Sequence, residues 1–573
     1  MKQRFLPVLL LAVVTAVAAA EPIVIRDARE WRQTAAATGF TWDEIAAACP
    51  TNGYPCTGQI VNGLTLATVD VDGWTWARRS DIRDLFDSVI QYGVSNFPTD
   101  SSNYGGVDDP DIQLVVSGAP CWFDPTTVEP AGNGVDRWLN GWSAYGTVSS
   151  GLGGIPQLRD LAPGSYDAAV TYLVQSKTMR TTTGDRALGI WMFRPLQAVT
   201  RAFMVLPLPD VDSDGVADVA VVIAEPTRAE VRSGGTGALL QTMTYFEGVT
   251  GSIFNPVDAE VVPDSDGDGA PELAVLARRL MDGRGVVELR NLAGAAAPRQ
   301  VWFAGCRKPV ALAVVDTDAD GNGLPELAVL SIGNRDGRAI VEVKNAYGPT
   351  QPTTLWVGAG LTPTDIDVVA DADANGVPEV AVLATRDSDH RVVVEIKNAA
   401  GTTNPNSVWF MAGHTAIDLA VVPDANGNGV PEVAVLSSRD ADGRLVVEIK
   451  NAAGPTNPTA VWFAAGQHGV ALKPLPDTDG NSVPELAVLS TRSSDGRVLV
   501  EVKNGAGSTN PRSLWYPAGY TALDLAVCPD LDANGVEEAG VFMRRDSDGR
   551  MVVETRNTSG PQLPRDYWFS QLP

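Results

Sequence analysis

Residues Asp264 to Leu276 read DSDGDGAPELAVL. Carboxylates stand at positions 1, 3 and 5 (Asp264, Asp266, Asp268), glycine at position 6 (Gly269), and an acid again at position 9 (Glu272). Leu273, Ala274, Val275 and Leu276 follow at once, a short apolar run that reads as a buried strand and not as a helix. The glycine suits a sharp reversal, since positive φ is cheap without a Cβ. The local unit is therefore a tight acidic loop that feeds directly into a strand.

The chain uses this unit seven times. Copies begin at Asp210 (DVDSDGVADVAVV), Asp264, Asp318 (DADGNGLPELAVL), Asp371 (DADANGVPEVAVL), Asp424 (DANGNGVPEVAVL), Asp477 (DTDGNSVPELAVL) and Asp530 (DLDANGVEEAGVF), at spacings of 54, 54, 53, 53, 53 and 53 residues. A period near 50 marks propellers, solenoids or arrays. Each unit carries four apolar runs; around Asp477 these are VALKPLP, ELAVLST, VLVEVKN and SLWYPAG. Four short strands joined by tight turns make one propeller blade. The expected fold is mainly β: a seven-bladed β-propeller over residues 196–573, preceded by a small α+β domain over 21–195. On the third run, period-2 alternation puts Val392, Val394 and Ile396 on one face and Val393, Glu395 and Lys397 on the other. Tryptophan recurs on the fourth run (Trp302, Trp356, Trp409, Trp462, Trp515, Trp568), with Tyr245 in its place in the earliest repeat. Its expected role is packing between blades. Trp191 has the same setting but would be one strand too many, and it is assigned to the preceding domain.

Calcium takes six to eight oxygens at roughly 2.3–2.6 Å from flexible ligands. Positions 1, 3, 5 and 9 supply such ligands on one side of each loop. The expected sets are Asp210, Asp212, Asp214 and Asp218; Asp264, Asp266, Asp268 and Glu272; Asp318, Asp320, Asn322 and Glu326; Asp371, Asp373, Asn375 and Glu379; Asp424, Asn426, Asn428 and Glu432; Asp477, Asp479, Asn481 and Glu485; and Asp530, Asp532, Asn534 and Glu538. The position 7 carbonyl, Ala270 in the second loop, can add a donor. An EF-hand would place a bidentate Glu at position 12. That position is Val in every copy (Val221, Val275, Val329, Val382, Val435, Val488, Val541), so the loop belongs to a β-hairpin. Up to seven Ca²⁺ ions are expected. Acid counts rank the Asp210 and Asp264 loops tightest. They rank the Asp424 loop and the Asp477 loop, with Ser482 in place of glycine, weakest. RDSDHR, RDADGR and RDSDGR lack the position 9 acid and read as plain hairpin turns.

This repeat resembles the FG-GAP repeats of integrin α-chain propellers and related bacterial proteins, whose pattern is strand, DxDxDGxxD, strand. The first unit, with EVRSGGTGALLQTM after its loop, is most similar; later units lack the literal FG and GAP letters. The resemblance implies a seven-bladed propeller with calcium in hairpin loops along one rim.

The chain has 573 residues and a formal charge of −26. That balance argues against nucleic acid, which needs a basic face, and against anionic lipid. MKQRFLPVLLLAVVTAVAAAEP joins Lys2 and Arg4 to an apolar run and to Ala18, Ala19 and Ala20, and reads as a secretory signal over residues 1–20. The run is short for a membrane span, and no membrane insertion is expected. The protein is expected to be secreted, periplasmic or at the cell surface. In residues 21–195, TWDEIAAAC reads as a short helix begun at Thr41. DGWTWARRSDIRDLFDSVI reads as a strand and then a helix capped near Ser80, and RALGIWMFRP as a closing strand. GWTWARRSDIRDLF and LGIWMFR resemble exported bacterial domains of unknown function, some with a C-type-lectin-like fold. Cys49 and Cys56 suit a local disulfide in an oxidising compartment; Cys121, Cys306 and Cys528 read as small buried residues.

His390, His414 and His468 all lie in the repeats, the last two expected in loops after the tryptophan run. HExxH, GxSxG, phosphate-loop and CxxC patterns are absent. With no histidine in residues 21–195, a Ser-His-Asp or Cys-His site in the N-terminal region is excluded. No catalytic residue is assigned. The expected function is a secreted calcium-binding propeller that binds an extracellular glycan or protein, as an adhesion or interaction module. The alternative is a polysaccharide lyase or hydrolase, since similar calcium-loop propellers occur in some lyases.

Overall fold

Alternating apolar residues and Gly/Asp turns fold each repeat into four antiparallel strands. In this computed structural model the second repeat runs through Phe254–Val262, Glu272–Arg279, Gly285–Asn291 and Arg299–Trp302, each strand paired with the next. The structure describes residues 204–569 apart from short gaps, and before them only stretches between residues 23 and 195. Seven such sheets follow in chain order. Their first strands are Met204–Leu208, Phe254–Val262, Arg307–Val315, Leu361–Val369, His414–Val422, Gln467–Leu475 and Tyr520–Cys528. Each touches the first strands of both neighbours, and Tyr520–Cys528 returns to Met204–Leu208. The ring is closed, the first strands surround its axis, and the fold is a seven-bladed β-propeller.

The apolar core is divided among the blade junctions. Ala420, Val447 and Phe463 of the fifth blade pack on Leu472, Leu486 and Val488 of the sixth. Val205, Val219 and Val221 of the first pack on Phe542, Val553 and Phe569 of the last. A lone antiparallel sheet keeps one face wet; here each face meets another blade. The third-strand alternation therefore has a different outcome from a wet sheet. Val393 and Glu395 are buried like Val392 and Val394, and Lys397 Nζ lies 3.3 Å from Glu395 Oε2.

The residues on either side of each tryptophan go into the core: Phe303, Val357, Phe410, Phe463, Tyr516 and Phe569, just past the fourth strands, are all buried, as are Val301, Leu355, Val408, Val461, Leu514 and Tyr567 before it. The indole rings lie further out. Trp302, Trp409 and Trp568 are partly buried at the margin of the junction with the preceding blade. Two arginines flank each of these rings, as Arg386 and Arg391 do at 4.5 and 5.3 Å from the Trp409 centroid. Cation–π attraction at such distances offsets part of the exposure.

His414 and His468 stand on first strands, paired with Arg439 and Thr491, and not in loops. The innermost strand is nine residues long and takes them in. His390 has φ 56°, the left-handed conformation that Gly443, Gly496 and Gly549 adopt at the same turn.

Residues 1–197 form a separate compact unit from 198–573. Among its described residues, Ile23–Arg26, Arg29–Thr34, Ile190–Pro195 and Thr75–Trp76 make one sheet, which pairs Trp191 with Gln33 and puts it outside the blades. Val128–Pro130, Arg137–Asn140, Ile155–Asp160 and Val170–Val174 make another. Ile45, Ala47 and Ala48 are helical, and Cys49 is bonded to Cys56. Cys528 is a buried free thiol. The leader, the helix expected near Ser80, Cys121 and Cys306 lie outside the described residues. No helix among the described residues is long and apolar enough to cross a membrane.

Candidate metal centres

Each acidic loop is shaped by its own side chains. The position 1 carboxylate gathers the backbone N–H groups of positions 5 and 6. Asp264 accepts from Asp268 at 3.1 Å and Gly269 at 2.8 Å, Asp371 from Asn375 at 2.7 Å and Gly376 at 2.8 Å, and Asp530 from Asn534 at 2.9 Å and Gly535 at 2.6 Å. Position 5 closes its own turn: Asp268 Oδ1 accepts from Ala270 N at 2.9 Å. Position 9 opens the second strand and is buried. One of its oxygens accepts the position 2 N–H, as Glu272 does from Ser265 at 3.1 Å and Glu379 from Ala372 at 2.9 Å. The turn thus places positions 1 to 5, and the sheet places position 9.

Positions 1, 3 and 9 converge. In five loops a carboxylate oxygen of each lies within 4.8 Å of the other two: Asp210, Asp212 and Asp218; Asp264, Asp266 and Glu272; Asp318, Asp320 and Glu326; Asp371, Asp373 and Glu379; Asp530, Asp532 and Glu538. Asp214 and Asp268 at position 5 are outside these triads, and position 5 closes the turn in all five loops (Asp214, Asp268, Asn322, Asn375, Asn534). The Asp424 loop has Asn426 at position 3 and Asn428 at position 5. In the Asp477 loop, which also carries Asn481 and Glu485, Asp479 lies outside the described residues.

These clusters fit a cation. Oε1 of Glu272, Glu379 and Glu538, and Oδ1 of Asp532, are buried without a hydrogen-bond partner. A buried acceptor left unpaired is costly. Burial, reinforced by the loop aspartates, pushes Glu272, Glu326 and Glu538 up to about 7. A divalent ion would pair the stranded oxygen and cancel the repulsion. The donors are all oxygens, as hard cations require.

A further residue was not singled out in the sequence. Beside position 9 on the third strand stands a buried amide: Asn291, Asn345, Asn398, Asn451, Asn504 or Asn557. Asn291 Nδ2 donates to Asp268 Oδ2 at 2.6 Å, and Ser233 Oγ in the first blade to Asp214 Oδ2 at 3.2 Å. The recurring KN or RN that ends the third strand is its sequence mark.

Ser482 holds φ 66°, where the other loops have glycine, such as Gly269 at 92° and Gly376 at 86°. Ser482→Gly is expected to stabilise the protein by about 1 kcal/mol by removing left-handed strain. Urea unfolding in excess calcium checks this, and a lower midpoint contradicts it.

A second acidic group surrounds the axis. Asp258, Asp365, Asp418 and Asp524 share one register level of the first strands, and Glu260, Asp367 and Lys473 lie two residues further along. All retain accessible surface, yet they act on one another across the ring: Asp258 feels Lys473 and Asp524, and Glu260 feels Asp367. Their open surface is that of the channel. The aspartates clip blade to blade: Asp258 Oδ2 accepts from Leu312 N at 2.7 Å, Asp367 from Val421 N at 2.8 Å, and Asp418 from Leu472 N at 2.6 Å. Asp524 accepts from Val205 N at 3.0 Å and so joins the last blade to the first. Burial pushes Asp258 and Asp524 up to about 6 and Glu260 up to about 8. Burial alone would pull Lys473 down, but Asp418, Asp524, Glu260 and Asp365 outweigh it and hold the ammonium above its usual range. Acids within otherwise apolar first strands (VDAEVV, TDIDVV, IDLAVV, LDLAVC) are the sequence signal for this belt.

The fold and its acidic loops define a seven-bladed β-propeller with several clusters able to hold a metal ion. No protein-family model matches the chain, and no curated protein matches it. Among solved structures it is similar to BBS1N in complex with ARL6DN, at 14% identity and TM-score 0.38 over 62% of this chain and 89% of that one. It is also similar to the fucose-recognising, six-bladed lectin of Aleuria aurantia, at 11% and 0.34 over 55% and 94%. A third is a mutant of the Synechocystis enzyme ACO, at 11% and 0.38 over 78% and 97%. The blade count rests on this chain's own strand pairing.

Proposed function

We propose that the chain is an exported calcium-loaded propeller of the FG-GAP type, acting as a rigid module that binds an extracellular glycan or protein. The observation that carries the metal part is the buried, unpartnered oxygen of the position 9 glutamate, recurring beside a pair of aspartates. Calcium is favoured over other ions by donor chemistry. Zinc selects imidazole and thiolate, and magnesium demands near-octahedral geometry and keeps several waters. Export is supported by the basic and apolar start of the chain. Extracellular modules bind calcium at about 10⁻⁴–10⁻³ M, so such sites stay filled outside cells. The indole rings are already engaged by arginines, which leaves ligand contact to the exposed loops.

Calorimetric titration tests the metal. Calcium binding with weaker magnesium binding is expected, and no heat with about 10 mM calcium would end the proposal. Screening a glycan array with and without chelator tests the ligand: retention is expected only with calcium.

A further inference from the structure

We propose that the Asp424 loop takes no metal, because the side-chain amide of Asn426 does there what a cation would do in the loops at Asp264, Asp371 and Asp530; this rests on the calcium reading above. In the loops at Asp264, Asp371 and Asp530, position 3 is an aspartate and Oε1 of the position 9 glutamate is buried and unpaired. In the Asp424 loop, position 3 is Asn426. Its Nδ2 donates to Glu432 Oε1, the equivalent of that stranded oxygen, and also lies 2.8 Å from Asn451 Oδ1. The other Glu432 oxygen accepts from Ala425 N at 2.7 Å. Both oxygens of this glutamate, itself only 2% exposed, are therefore satisfied within the protein.

The substitution is chemically complete. One NH₂ group offers two hydrogens to two buried oxygens, and the change from aspartate removes a negative charge. An entering ion would have to displace the amide from Glu432 and Asn451 and would meet only two acids, Asp424 and Glu432. The Asp530 loop is the opposite case. Asp532 Oδ1, Glu538 Oε1 and the Asn557 Oδ1 beside them are all buried without partners. Asn557 turns its Nδ2 away to Pro561 O at 3.1 Å. One blade of the ring thus holds its loop at any calcium concentration, while the loops at Asp264, Asp371 and Asp530 depend on the ion.

The experiment counts calcium bound per full-length chain by equilibrium dialysis, for wild type, Asn426→Asp, Asn426→Ala and Asp266→Asn. Asn426→Asp is expected to gain one ion, Asp266→Asn to lose one, and Asn426→Ala to leave the count unchanged. Melting gives a second readout: Asn426→Asp should melt below wild type in EDTA and recover the difference in calcium. An unchanged count for Asn426→Asp alongside a loss for Asp266→Asn overturns the proposal, as does a loss for Asn426→Ala, which would make Asn426 a ligand. A wild type that binds no calcium removes the calcium reading itself, and this inference with it.

Discussion

Chelating calcium should lower the melting temperature of the intact protein by at least about 10 °C. A ligand that binds only the folded state stabilises it by RT ln(1 + [L]/Kd). At about 10 mM calcium and a Kd of about 0.1–1 mM, each site contributes about 1.4–2.7 kcal/mol. Several sites acting on one closed ring therefore add about 5–15 kcal/mol, as much as the whole stability of an ordinary domain. The effect extends beyond the loops because each second strand begins at the position 9 acid and runs on into the buried blade junctions. Without an ion, Glu272, Glu379 and Glu538 keep a buried oxygen unpaired at the entry to their blades. Scanning calorimetry in calcium and in EDTA checks this. Coincident melts would mean that the acids are ordinary turn residues.

Lys473→Met should destabilise the protein by about 2 kcal/mol at pH 8 and by much less at pH 5. Removing one partner of a fully buried charge pair costs about 3–5 kcal/mol; Lys473 is exposed at the channel surface, so solvent screening reduces that figure. The sign with pH follows from the direction of the shifts. Carboxyls raised on folding contribute stability that is full below their unfolded pKa and is lost as pH rises through the folded one. For Asp258 and Asp524 that loss runs up to about 6, and for Glu260 up to about 8. Lys473 offsets it, so deleting the ammonium hurts most where the acids are ionised. Glu260→Gln supplies the opposite control, stabilising at pH 8 and nearly neutral at pH 5. Melts in excess calcium, compared between variant and wild type, cancel the loop acids common to both. A Lys473→Met cost that is the same at pH 5 and pH 8 would show that the belt is solvated and carries no strain.

Much of this architecture is legible in one dimension because it is local and repeated. Gly269 marks a reversal, the apolar run after Glu272 marks a buried strand, and seven copies at nearly constant spacing mark a ring of blades. The disulfide between Cys49 and Cys56 lies within a few residues and was equally readable. Less legible was what a neighbouring blade decides. Alternation on the third strand assigns two faces, but only the neighbouring blades decide that both are covered, and Glu395 and Val393 are both buried. Trp302, Trp409 and Trp568 pack at blade junctions, as their recurrence suggests, although the smaller residue after each one lies deeper.

The sequence by itself determined the blade, its count, and which side chains crowd each loop, since these follow from hydrogen-bonding period, turn chemistry and residue type within some fifty positions. Only the tertiary structure decided that Asp524 latches the last blade to Val205 of the first, that Lys473 faces acids from several repeats, and that Asn426 turns its amide onto Glu432. Those outcomes depend on ring closure and on rotamer choice, which join residues hundreds of positions apart or choose between the two ends of one amide.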